Sequence, residues 1–177
     1  DTVTVPNGGT SQTQTPVAGF EVVNSWPHDT GAFTQGLLFH DGSLYESTGL
    51  NGRSSLRRVV LETGEVVQRV DVDPQYFAEG LALFKDKLYQ LTWRSGSGFI
   101  YDLRTFKRVG QFAFYNEGWG LTSDSTYLYL SDGTNVLRVL DPVTLKPVRT
   151  IPVFDGETTV PELNELEWIR GEIWANV

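Results

Sequence analysis

Four short units of one design recur along this chain: Gln35-Gly36-Leu37, Glu79-Gly80-Leu81, Trp119-Gly120-Leu121 and Asn164-Glu165-Leu166. Nine positions after the middle residue of each stands an aromatic, Tyr45, Tyr89, Tyr129 or Trp174. The units lie 44 (36 to 80), 40 (80 to 120) and 45 (120 to 165) residues apart. A period of that length, built from β-type segments, is the signature of propeller blades. The leading residue differs every time, as Gln, Glu, Trp and Asn. A framework position repeats, whereas a position that faces a site is free to vary.

Each repeat divides into the same parts. A short apolar strand such as Gly36-Leu37-Leu38-Phe39 is followed by a polar turn and a second strand carrying the aromatic. Third strands are predicted at Ser55 to Leu61, Gly98 to Leu103 and Asn135 to Leu140, and fourth strands at Val66 to Val72, Lys107 to Phe114 and Pro147 to Val153. Turn-forming clusters such as Asp141-Pro142-Val143-Thr144 separate them. Four strands per repeat and no helical period predict an all-β chain built as a β-propeller. Three blades are complete here and a fourth has two strands. Phe20 to Trp26 matches a fourth strand donated by the N-terminus to close the ring. The chain ends at Val177 inside a strand, so residues 17–177 read as an incomplete propeller domain, to be completed by a missing C-terminal segment. Residues 1–16, rich in Thr, Gln, Gly and Pro, read as a flexible linker. Such tails often follow a removed secretory signal, which points to a secreted or periplasmic protein.

Composition narrows the function. The 177 residues carry a net charge of -8 and show no Lys/Arg cluster, which argues against nucleic acid and anionic membrane surfaces. No apolar run approaches the length that crosses a bilayer. Cysteine is absent, so thiol catalysis and thiolate metal sites are excluded. His28 and His40 form no metal-binding motif, and the chemistry is expected to need neither metal nor cofactor.

In a propeller the first strand of each blade lines the central channel. Gln35, Glu79, Trp119 and Asn164 precede that strand in four consecutive blades, so they are predicted to face one another around one mouth. One carboxylate, two carboxamides and an indole make a poor metal site and a good cradle for a small polar ligand. Glu79 beside Trp119 is predicted to be partly desolvated, which raises its pKa toward the range useful for proton transfer. Phe33, Phe77, Trp93 and Tyr115-Asn116-Glu117 add groups to the same loops. Plainer roles stand beside these: Gln35 and Asn164 as strand-end caps, Glu79 as a solvated carboxylate, Trp93 as blade packing. Tyr45, Tyr89, Tyr129 and Trp174 are assigned to the core, Trp26 and Trp168 to packing, and His28 to a turn. Glu165 and Glu167 alternate with Leu166 and point the same way, with one of them free to face the channel.

The runs Pro27-His28-Asp29, Phe33-Thr34-Gln35-Gly36-Leu37, Phe77-Ala78-Glu79-Gly80-Leu81, Leu91-Thr92-Trp93, Asn116-Glu117-Gly118-Trp119-Gly120-Leu121 and Leu163-Asn164-Glu165-Leu166-Glu167 resemble the plant/bacterial-type glutaminyl cyclases, or glutamine cyclotransferases. The resemblance implies five blades, a metal-free pocket at the central channel, and substrates that are peptides or proteins with N-terminal glutamine. It implies that the α-amine of that glutamine attacks its own carboxamide carbon, giving pyroglutamate and ammonia. Glu79 would then shuttle the proton, Gln35 orient the amine, and Asn164 with the Trp119 indole bind the carboxamide oxygen, while Phe33, Phe77 and Trp93 enclose the substrate. The family pattern adds a pocket tryptophan and a lysine beyond Val177, so the chain alone is expected to be inactive or impaired. A non-catalytic ligand- or peptide-binding propeller and a metal-dependent hydrolytic propeller stand as the alternatives.

Overall fold

The computed structural model describes residues 16–177, which contain sixteen β-strands and no helix. Apart from Pro16, the expected linker lies outside the described residues. Strands β1 (Thr34–His40), β2 (Ser43–Thr48), β3 (Ser55–Val60) and β4 (Val66–Asp71) form one antiparallel sheet in chain order. A second sheet repeats the order with β5 (Ala78–Phe84), β6 (Lys87–Thr92), β7 (Ser97–Asp102) and β8 (Arg108–Ala113). A third holds β9 (Leu121–Ser123), β10 (Leu128–Leu130), β11 (Val136–Leu140) and β12 (Pro147–Pro152). These are three propeller blades, with the predicted third and fourth strands in place.

A small hairpin, β13 (Phe154–Asp155) and β14 (Thr158–Thr159), turns at Gly156 and was not foreseen, although Asp155-Gly156 is a hairpin signal. The two strands expected of the fourth blade follow as β15 (Leu166–Ile169) and β16 (Glu172–Ala175).

The core lies between successive blades rather than within one. Tyr45 and Leu56 of the first blade pack with Leu81, Leu88, Phe99 and Phe106 of the second. Tyr89 and Phe112 of the second pack with Leu121, Leu128 and Leu140 of the third. Tyr129 and Val139 of the third pack with Leu163 and Leu166 of the fourth. The repeated tyrosines are therefore framework, at 4–5% exposure. Trp174 departs from the pattern and is 56% exposed, because its two-stranded sheet has no blade packed on its far side among the described residues.

The glycines of the repeat explain how the inner strands approach. A Cβ on Gly36 would lie 2.6 Å from the Leu81 amide nitrogen, and one on Gly80 would lie 2.5 Å from the Leu121 nitrogen. A Cβ on Gly120 would collide with the Asn164 carbonyl oxygen and the Glu165 Cα. Backbone thus meets backbone from blade to blade, and the Gly80 amide donates to the Trp119 carbonyl at 2.8 Å across that seam.

Two expectations at the N-terminal side change. No strand forms at Phe20 to Trp26, whose Phe20, Val22 and Val23 side chains are exposed, since no neighbouring ladder among the described residues pairs with it. Trp26, expected to pack, is 45% exposed for the same reason.

The close seam yields a prediction. Gly80→Ala should destabilise the fold by about 1–3 kcal/mol, the usual cost of an added carbon in a packed position, because the obstacle is backbone that has no rotamer to change. A fall in the urea midpoint checks it; an unchanged midpoint would contradict the seam.

Candidate active site

The seven candidate residues Phe33, Gln35, Phe77, Glu79, Trp93, Trp119 and Asn164 line one cavity of about 340 Å³. Local irregularities of the inner strands aim two of them. The β1–β2 ladder passes over Gln35 between Thr34 and Gly36, and the β5–β6 ladder sets two residues, Glu79 and Gly80, against one on β6 between Ala78 and Leu81. Gln35 and Glu79 occupy these bulges, where an extra residue turns its side chain out of the alternating pattern. Gln35 Nε2 donates to Glu79 Oε2 at 2.6 Å, so the leading residues of the first two blades touch across 44 positions of sequence.

Three aromatic rings make a continuous wall. Phe33 meets Phe77 edge-on with centroids 6.0 Å apart, and Phe77 meets Trp93 at 5.6 Å. Gly49 allows this, because a Cβ there would strike the Phe77 ring and come within 3.1 Å of Gln35 Cγ. Trp93 is therefore a wall of the cavity as well as a packing residue.

Glu79 is 5% exposed. Burial pushes its pKa up to about 8; the Gln35 hydrogen bond opposes the rise and the nearby Glu117 charge adds to it. Glu117 is the residue whose role the sequence reading missed. Its Oε2 accepts from Trp119 Nε1 at 2.9 Å and from Trp93 Nε1 at 2.6 Å, while Oε1 accepts from Arg94 Nε at 3.0 Å. The Arg94 guanidinium lies over the Trp93 ring at 3.8 Å. These bonds, the Trp119 donor foremost, hold the Glu117 carboxyl below its ordinary value and keep it charged.

The Trp119 indole N–H is consequently committed to Glu117, which removes it as the donor assigned to a substrate carboxamide. The Asn164 side chain, with no hydrogen bond among the described residues, remains available for that task. Its backbone is fixed instead: Ser131 Oγ donates to the Asn164 carbonyl at 2.6 Å and accepts from the Gly120 amide at 2.7 Å. Of the neighbouring loop, Tyr115 is exposed and Asn116 bonds Asp132, so neither joins the wall.

A buried polar cluster steadies the entrance strand. Glu46, fully buried on β2, accepts from Thr34 Oγ1 at 2.5 Å and lies 3.0 Å from His28 Nε2. Arg57 Nη1 binds Asp29 at 2.8 Å and approaches the second Glu46 oxygen at 3.8 Å. His28 is thus an anchor of the 28–34 segment rather than a simple turn residue.

Glu165 and Glu167 both face inward. Glu167 lines a smaller cavity with Leu38, Thr122 and Ser123, and the Glu165 carboxyl lies near the Leu37 amide of β1, with its Oε1 buried and unpartnered among the described residues. Burial, reinforced by the Glu167 charge, pushes Glu165 up to about 9, and burial alone pushes Glu167 up to about 7. Glu165 occupies the repeat position that is glycine in the other three blades, where a side chain is free to turn toward the first blade.

Among the described residues no group of His, Asp and Glu is arranged to hold a metal ion. The cavity instead combines one buried carboxyl, two carboxamides and an aromatic wall, a set suited to binding a small amide and moving one proton.

Two predictions follow from these charges. Glu117→Gln removes the negative charge that raises Glu79, so the Glu79 pKa should fall in a carbon-detected NMR titration; an unmoved value would contradict the coupling. Between the unfolded value near 4.5 and the folded value of about 9, Glu165 binds more proton folded than unfolded. Its contribution to stability is therefore complete at low pH and is lost as pH rises through that window. The melting temperature of Glu165→Gln relative to the parent should climb from pH 5 to pH 9; a difference independent of pH would refute it.

The family model described as Glutamine cyclotransferase matches residues 2–177. A glutaminyl-peptide cyclotransferase of Arabidopsis thaliana is 46% identical over 159 residues, which cover 89% of this chain and 50% of that protein. The crystal structure of Myxococcus xanthus glutaminyl cyclase superposes with a TM-score of 0.82 at 37% identity, covering 89% of this chain and 66% of that one. The Neurospora crassa Pan2 WD40 domain, 12% identical with a TM-score of 0.60 over 75% of this chain and 38% of its own, shares the fold alone. The chain spans about half the length of the curated relative it matches.

Proposed function

This chain belongs to the glutamine cyclotransferase family, and on that premise we propose that the protein converts the N-terminal glutamine of peptides to pyroglutamate with release of ammonia. The observation that supports this most directly is Glu79, a buried carboxyl held by Gln35 inside an aromatic-walled cavity of about 340 Å³, with room for a terminal glutamine.

In this reading the neutral α-amine attacks the side-chain carbonyl carbon. A C–N bond forms, the carbonyl oxygen takes up negative charge, and the Asn164 carboxamide donates to it. Ionised Glu79 accepts the proton that the attacking nitrogen releases. It then returns that proton to the departing nitrogen, so the C–N bond of the carboxamide breaks to give ammonia and the lactam. The Phe33, Phe77 and Trp93 wall favours the folded-back conformer in which amine and carbonyl meet. Gln35 serves first to orient Glu79, and Trp119, pinned by Glu117, supplies a fixed apolar surface. The donor set, with one carboxyl and no imidazole, suits a metal-free mechanism. An exported protein acting on secreted peptides belongs to the same reading.

Proton balance sets the pH dependence. Catalysis needs ionised Glu79, at about 8, and an unprotonated amine, whose ordinary pKa is also about 8. The rate kcat/KM should therefore rise with pH up to about 8. Glu79→Gln should lower kcat by roughly 10²- to 10⁴-fold, the range of a lost general base, while pyroglutamyl peptides still bind. Ammonia release from a Gln-initiated peptide measures both. Undiminished turnover by Glu79→Gln would overturn the assignment, and no turnover by a protein carrying the complete ring of blades would overturn the function.

A further inference from the structure

A second cavity, of about 390 Å³, lies beside the first and shares Phe33 with it. The Gly49 amide donates to the Phe33 carbonyl at 2.8 Å, and Gly49 also backs onto Phe77 and Gln35. The partition between the two spaces is therefore one side chain and one glycine thick. Topology puts both on the same face of the propeller. The second cavity is built from the segment that enters β1, the β2–β3 connection and the β4–β5 connection, the same end of the blade from which Gln35 and Glu79 project.

Its charged lining is Asp29, Arg53, Arg57, Arg69 and Asp71. Four of these neutralise one another. Arg57 binds Asp29 at 2.8 Å and Arg69 binds Asp71 at 2.7 Å, with Glu46 buried behind Arg57. Arg53 is left over: it forms no ion pair among the described residues and donates only to the Gly31 carbonyl, at 3.3 Å. Its backbone is fixed, since the Arg53 amide bonds the Leu50 carbonyl at 2.9 Å and the Gly52 amide bonds the Pro74 carbonyl at 3.1 Å. A chain of net charge -8 thus sets three of its fourteen cationic side chains around one hollow and leaves one of them free.

We propose that this cavity is a subsite for a carboxylate carried by the substrate peptide downstream of its terminal glutamine, with Arg53 as the recognising group. The inference rests on the function proposed above. An extended peptide advances about 3.3–3.6 Å per residue, so a chain leaving the first cavity past Phe33, which both cavities share, enters the second within a few residues of its terminal glutamine. One free guanidinium flanked by two carboxylates suits a monovalent carboxylate and disfavours a dianion such as phosphate. That carboxylate is supplied either by an Asp or Glu side chain or by the C-terminus of a very short peptide.

The test compares matched peptides: Gln-Ala-Glu-amide with Gln-Ala-Gln-amide, Gln-Glu-Ala-amide with Gln-Gln-Ala-amide, and Gln-Ala free acid with Gln-Ala-amide. Ammonia release gives kcat/KM for each, and calorimetry gives affinities for the corresponding pyroglutamyl peptides. At low ionic strength the carboxylate member of at least one pair should be favoured by about three- to ten-fold through KM. Which pair responds distinguishes a side-chain from an α-carboxylate. The preference should shrink in 0.5 M salt, drop to about one in Arg53→Gln and reverse in Arg53→Glu. No preference in any pair, no binding of any peptide, or a preference that survives Arg53→Gln would overturn the subsite. A calorimetric preference without ammonia release from any peptide would instead overturn the cyclase reading alone.

Discussion

Everything in this structure depends on a backbone-to-backbone seam between inner strands. At Gly36, Gly80 and Gly120 the missing side chain lets each blade approach the next until peptide groups touch. That approach fixes where the preceding residue stands. Gln35, Glu79, Trp119 and Asn164 gather around one cavity because each leads a strand pressed against its neighbour. The aromatic nine residues on fills the space between blades in the first three cases, so one short unit sets both the core and the site.

The seam also explains the electrostatics. Residues ahead of it are partly withdrawn from water by the blades on both sides, and a carboxyl in that position gains a proton-holding tendency from burial. Glu117 deepens the effect from outside. Its charge, tied to two indoles and Arg94, fixes the aromatic wall and disfavours a second negative charge at Glu79. One residue thereby couples the shape of the cavity to its proton affinity. In the fourth blade the glycine is replaced by Glu165, whose carboxyl is withdrawn from water near the first blade's Leu37 amide.

Much of this was legible in the residues themselves. The repeat spacing revealed the blades, their strand boundaries and four of the cavity residues, Gln35, Glu79, Trp119 and Asn164, because register in a propeller converts directly into position around an axis; Phe33, Phe77 and Trp93 were placed by the adjoining loops and the family resemblance. What escaped notice was pairwise. Glu117 sits two residues before Trp119, on the same side of an extended segment, yet its contact with Trp93 joins two blades and leaves no trace in spacing. The Glu46 cluster hid for a similar reason: a glutamate in an alternating strand reads as solvent-facing until His28, Thr34 and Arg57 are brought over it. Phe20 to Trp26 and Trp174 show the converse limit. Their patterns are those of a strand and a core residue, but pairing and burial depend on neighbours that the pattern itself does not contain.

The most direct measurement of the account is the position of a pyroglutamyl peptide bound to the protein in a crystal structure. The account predicts the lactam ring against Phe77 and Trp93, its nitrogen within hydrogen-bonding distance of the Glu79 carboxyl and its ring carbonyl facing the Asn164 side chain. A ring bound elsewhere, or one inside the cavity with Glu79 turned away to solvent, would contradict it.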